Sequence, residues 1–89
     1  MNSDQFEKGE IRIFEFQVTS KAAAPVVISS ATWELRNRSV VVERGNCDIN
    51  KNIISMIVPL LTAGDFTLEV TAEIPPETII ERLRVRVVE

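Results

Sequence analysis

Leu83-Arg84-Val85-Arg86-Val87 and, upstream, Phe66-Thr67-Leu68-Glu69-Val70-Thr71-Ala72-Glu73-Ile74 alternate apolar and polar side chains. A period of two sends one row of side chains into a core and the other into water, which is the pattern of a half-buried antiparallel strand. Parity couples the stretches. Phe66, Leu68, Val70, Ala72 and Ile74 are even and inward, whereas Leu83, Val85 and Val87 are odd and inward. Facing pairs must then join even to odd positions, which places Glu69 and Glu73 on the same outer face as Arg82, Arg84 and Arg86. Pro75-Pro76-Glu77-Thr78 reads as the turn between them, leading into a final strand over 79–88.

The same signal extends outward through the chain. Ala31, Trp33 and Leu35 alternate with Thr32, Glu34 and Arg36, and Asn37-Arg38-Ser39 is a tight turn into a partner strand over 40–43. Cys47 and Ile49 alternate with Asp48, and Asn50-Lys51-Asn52 is a loop tip. A short strand is expected at 26–28, after a loop at 19–24 that Pro25 closes. Over 10–18, Ile11 and Ile13 hold one phase while Phe14, Phe16 and Val18 hold the other. That change of phase predicts a β-bulge near residues 13 and 14, or a strand that crosses between sheets. No segment of helical length carries the 3.6-residue period, and seven or eight short strands separated by turns indicate an all-β antiparallel sandwich.

Eighty-nine residues make a single domain, expected as a partly flexible arm over 1–9 and a sandwich over 10–89. The hydrophobic fraction of 45% and charged fraction of 26% fit a folded chain rather than a disordered one. A net charge of −3 disfavours nucleic acid, whose phosphates need a basic surface. No apolar run reaches the roughly 18 residues of a membrane span, and the first ten residues carry no apolar leader, so neither membrane insertion nor a signal peptide is expected.

The residues that are missing narrow the chemistry. Without His the usual general base and the usual triad are lost, and Cys47 alone cannot build a zinc site. Gly9, Gly45 and Gly64 lie too far apart for a phosphate loop. The expectation is a protein that is not an enzyme and holds no cofactor or metal.

Thr62-Ala63-Gly64-Asp65-Phe66-Thr67-Leu68-Glu69-Val70 resembles the segment before strand F of immunoglobulin-like domains. Phe66 stands where the corner Tyr of those domains would be and Leu68 where their second Cys would be, so the phenolic hydroxyl and the disulfide are both absent. Trp33 has the setting of the buried sandwich Trp. A wider likeness runs over residues 8–88. Lys8-Gly9-Glu10, Pro25, Ala31-Thr32-Trp33-Glu34-Leu35-Arg36, Val40-Val41-Val42, Ala63-Gly64-Asp65-Phe66 and the terminal Arg/Val alternation are similar to small immunoglobulin-like proteins of tailed phages and prophages, including N-terminal domains of baseplate upper proteins. That resemblance implies a structural role in a virion, or in the cytoplasm of a bacterial host.

Most polar clusters have an ordinary explanation. Arg82, Arg84 and Arg86 form a cross-strand ladder with Thr and Glu rather than an anion site. Arg36, Arg38 and Arg44 belong to a mixed charged face with Glu34 and Glu43. Trp33 belongs to the core, and Cys47, without a neighbouring His, packs as an inert thiol. The run Ile53-Ile54-Ser55-Met56-Ile57-Val58 does not fit so easily. Both of its rows are apolar, yet one sheet face suffices for a core. The excess predicts an interface formed by Ile53, Ile54, Met56, Ile57 and Val58, with a protein partner or a second copy, unless residues 59–62 cover it. Three roles follow: an assembly module, an immunoglobulin-like binding or spacer module of a bacterial surface protein, and a small-ligand β-barrel with a cavity beside Trp33 and Phe66.

Overall fold

The computed structural model describes residues 4–19 and 27–89. Eight strands follow one another: β1 (Asp4–Glu7), β2 (Ile11–Gln17), β3 (Ser30–Asn37), β4 (Val40–Asn46), β5 (Asp48–Asn50), β6 (Ile53–Pro59), β7 (Gly64–Ile74) and β8 (Glu77–Val88). They form a five-stranded sheet in the order β1-β8-β7-β3-β4 and a three-stranded sheet in the order β2-β6-β5. No helix occurs among the described residues. Every pairing is antiparallel except that of β1 with β8, which is parallel.

The β7–β8 hairpin is the longest element, running from Gly64 opposite Val87 to Ile74 opposite Glu77 across a two-residue Pro75-Pro76 turn. The even–odd pairing expected from parity is observed. Glu69 faces Arg82, Thr67 faces Arg84 and Asp65 faces Arg86, while Glu73 faces Thr78. The opposite row of β7 (Phe66, Leu68, Val70, Ala72) is buried, together with Val85 and Val87 of β8. Trp33 and Leu35 of β3 continue this inner face, in register with Val70 and Leu68. Phe14 from β2 and Ile54, Met56 and Val58 from β6 close the core from the other sheet, with Ile28 and Leu60 at its margins. No charged or polar side chain is buried among the described residues, so apolar burial and the backbone ladders hold the sheets together.

Three expectations change. Strand β2 pairs with β6 through seven consecutive residues without a bulge. The crossing between sheets lies earlier, at the Lys8-Gly9 turn, where Gly9 adopts a φ of 96° that a side chain would disfavour. The register shift falls instead in the β3–β4 pair, between Leu35 and Arg36. Within the expected arm, Asp4–Glu7 is a strand of the larger sheet, and Phe6 packs edge-on against Phe14 with ring centroids 5.7 Å apart. The expected 26–28 strand is absent at Val27 and Ile28, which carry no strand pairing, although Ile28 is buried. Residues 20–26, which include Val26, Pro25 and most of the expected loop, lie outside the described residues.

Candidate functional site: the outer face of the small sheet

Residues that pair across antiparallel strands share a face, so the registers define the outer surface of the three-stranded sheet. Its rows are Ile11 with Pro59, Ile13 with Ile57, Glu15 with Ser55 and Asp48, and Gln17 with Ile53 and Asn50. Leu61, two residues past Pro59 and beyond the end of β6, is also exposed. Ile11, Ile13, Ile57 and Leu61 are 66, 69, 59 and 57% exposed, values that leave more than half of each residue in water. The polar end carries Glu15 and Asp48 on either side of Ser55, and neither carboxylate has an ion-pair partner among the described residues.

The outer face of the larger sheet is built differently. Arg82 Nε donates to Glu69 at 2.9 Å, Arg86 Nε donates to Asp65 at 2.8 Å, and Arg36 donates to Glu34. Glu34 also lies opposite Arg44 in the β3–β4 pair. Charges of both signs interleave there, as on an ordinary solvated sheet. Arg82, Arg84 and Arg86 thus sit in the ladder expected from the sequence.

The predicted interface is corrected in part. Ile54, Met56 and Val58 are 2% exposed or less, because their row faces Phe14 and the inner row of the larger sheet; they belong to the core. Only Ile53 and Ile57 of the predicted set point outward. The proposed cover is absent among residues 59–62: Leu60 turns inward and is buried, while Leu61 and Thr62 are exposed. Ile11, Ile13, Pro59 and Leu61 were not anticipated at this face. The signal for Ile11 and Ile13 lay in the phase change of their strand, which two apolar rows explain as well as a bulge does.

The remaining chemistry is sparse. Cys47 is half-buried against the core, and desolvation, followed by the neighbouring charge of Asp48, pushes its thiol from 9.0 up to about 11. It therefore stays protonated near neutrality, where the thiolate is the reactive form. No cluster of three or more His, Cys, Asp or Glu side chains able to hold a metal occurs among the described residues. No helix among them is long and apolar enough to cross a membrane. Trp33 and Phe66 are both buried in the core. An open groove of about 270 Å³ lies between the sheets beside Phe16, Val18, Ile54, Val70, Ala72 and Ile79. It falls just under the roughly 300 Å³ at which small-molecule pockets begin.

The fold is an all-β sandwich of two sheets, and solved structures share it. CopC from Methylosinus trichosporium OB3b superposes with a TM-score of 0.67 at 8% identity, over 96% of this chain and 82% of that one. A putative glycoside hydrolase from Bacteroides vulgatus ATCC 8482 gives 0.61 at 12% identity, over 98% of this chain and 17% of that one. The twitchin kinase region from C. elegans gives 0.57 at 16% identity, over 97% of this chain and 15% of that one. No protein family and no curated protein matches the sequence.

Proposed function

We propose that this chain is a non-enzymatic assembly module that works through protein–protein contacts, in a phage or prophage tail or baseplate as the sequence resemblance implies. The observation that carries the assembly role is the isoleucine-rich outer face of the β2-β6-β5 sheet. A contiguous aliphatic patch on a small domain is costly in water at about 25 cal/mol per Å² and is a common mark of an interface. Its contrast with the salt-bridged face of the other sheet supports the same reading.

Co-expression with the products of the flanking genes, followed by size-exclusion chromatography, tests it. The unmodified chain elutes within a larger complex, and a folded Ile13→Lys/Ile57→Lys variant elutes without those products. A wild-type chain that joins no complex, or a double variant that joins the same complexes, refutes the reading. A second reading, a binding or spacer unit within a longer surface protein, draws support from one fact. In two of the similar structures, the region that superposes on this chain makes up only 15–17% of the protein.

A further inference from the structure

A sandwich has sheet edges as well as faces, and an open edge offers unpaired backbone groups to any strand that approaches it. We propose that this chain closes its long edges to strand addition by placing one charged side chain in the core-facing row of each: Glu43 on β4, Glu81 on β8 and Arg12 on β2. Contacts with other chains are then confined to its faces and loops.

The registers fix which way these three side chains point. Glu81 lies opposite the buried Val70, between Ile79 and Leu83 in the same row. Glu43 lies opposite Leu35, and two residues on Gly45 lies opposite Trp33, both of them core residues. Arg12 lies opposite Val58, in the row that continues through Phe14. Each interrupts a row in which alternation alone calls for an apolar side chain.

All three positions are on edges. Strands β4 and β2 are the outermost strands of their sheets. Strand β8 has β1 on its outer side only from Val85 to Val88, so among the described residues no strand pairs with that side over 77–84. The remaining edge strands, β1 and β5, are four and three residues long, and shortness is itself a barrier to strand addition.

A charge in these rows costs little while the edge stays open. Glu81 is exposed and Glu43 partly so, and neither has an ion-pair partner among the described residues. Water solvates both. A strand added to β8 or β4 brings its own inward side chain to about 5 Å from the carboxylate, strips that water and leaves the charge among apolar neighbours. A second copy fares no better. Both edges of the larger sheet carry glutamate, so pairing β4 with β4, β8 with β8 or β4 with β8 either joins two carboxylates or buries each against an apolar row. Arg12 has the opposite sign but is engaged within its own chain. Its Nη1 donates to Glu10 at 3.1 Å, and its guanidinium lies 5.0 Å from the centre of the Phe6 ring.

The test removes the two glutamates. Glu43→Val/Glu81→Val is compared with Glu43→Lys/Glu81→Lys by sedimentation velocity over a range of concentrations, with a thermal melt of each. Taking two negative charges from −3 leaves one net negative charge, and reversing both leaves one net positive charge. The variants therefore differ in their inward rows and not in the size of their net charge. The valine variant is expected to self-associate at least about tenfold more tightly than wild type, with amide exchange slowed over 40–46 or 77–84. The lysine variant, still charged in both rows, sediments as wild type does. Glu73→Val, which takes a carboxylate from the outward row of the central strand β7, also leaves association unchanged. A folded valine variant that associates no more tightly than wild type overturns the proposal. A lysine or Glu73→Val variant that associates as the valine variant does also overturns it, and so does association that leaves exchange in both segments unaltered. If the valine variant unfolds, Glu43→Thr/Glu81→Thr is read for the same outcomes, because threonine suits a strand and removes the charge while keeping a polar group.

Discussion

Trp33 shows how one side chain constrains a neighbouring strand. It is 5% exposed and lies in register with Gly45 of β4. A Cβ built on Gly45 would sit 2.8 Å from Trp33 Nε1, closer than real carbon contacts allow. The glycine is therefore required by the indole rather than by its backbone conformation. Trp33→Ala should cost roughly 3–5 kcal/mol in urea unfolding, and Gly45→Ala roughly 1–3 kcal/mol through overpacking. A Gly45→Ala variant of wild-type stability would mean that the indole shifts freely. Cys47 makes a different prediction. Its folded thiol holds its proton up to about pH 11, whereas the unfolded thiol releases it near 9.0. Between those values the unfolded state binds fewer protons, so the thiol's contribution to stability falls as pH rises and is intact below pH 9. The drop in melting temperature between pH 8.5 and pH 11 should be smaller for Cys47→Ala than for wild type, and alkylation of the native protein by iodoacetamide at pH 8 should be slow.

At the scale of elements, the β7–β8 hairpin is where sequence and structure agree most closely, for a simple physical reason. Each strand has one apolar row and one polar row, so only one register parity buries the apolar pair. The ladder is uneven in energy. Glu69 is 17% exposed and receives Arg82 at 2.9 Å, with Arg36 Nε at 4.0 Å, whereas Asp65 is 75% exposed and meets Arg86 alone. Arg36 Nε is buried without a hydrogen-bond partner, so removing the Glu69 charge beside it should leave it less compensated. Glu69→Ala is expected to cost about 1 kcal/mol and Asp65→Ala less than about 0.5 kcal/mol, measured side by side by chemical denaturation. Strand β2 was harder to read because its outward row is apolar at the Ile11 end while its inward row, which carries Arg12 there, is apolar only from Phe14 onward. Parity then no longer says which row is inside, and a bulge and a doubly apolar strand produce the same local pattern. The β1 strand was missed for a related reason: four residues with one large apolar side chain, Phe6, carry too little periodicity to register, and their pairing with β8 is set by contacts more than 80 positions away in the chain.

For the whole molecule, the two outer faces separate what was legible from what was not. The excess of apolar residues in Ile53–Val58 was visible along the chain, but which half of them faces out depends on where β2 and β5 lie, and that is a property of the assembled sheet. The apolar outer face is therefore a composite of Ile11, Ile13, Ile57, Pro59 and Leu61 that no single stretch announces. The order β1-β8-β7-β3-β4 carries one more consequence, and it is mechanical. Because β1 runs parallel to β8, with Asp4 opposite Val85 and Glu7 opposite Val88, tension applied through residues 4 and 88 pulls the strands lengthwise past each other. Their hydrogen bonds then share the load and break together. Handles at Ser30 and Asn46, both at the open end of the β3–β4 hairpin, would instead peel its bonds apart one at a time. Single-molecule pulling should give the higher rupture force in the first geometry, and equal forces would show that four parallel pairs bear no load. A short strand at the edge of a sheet thus sets how this sandwich resists a pull between residues 4 and 88.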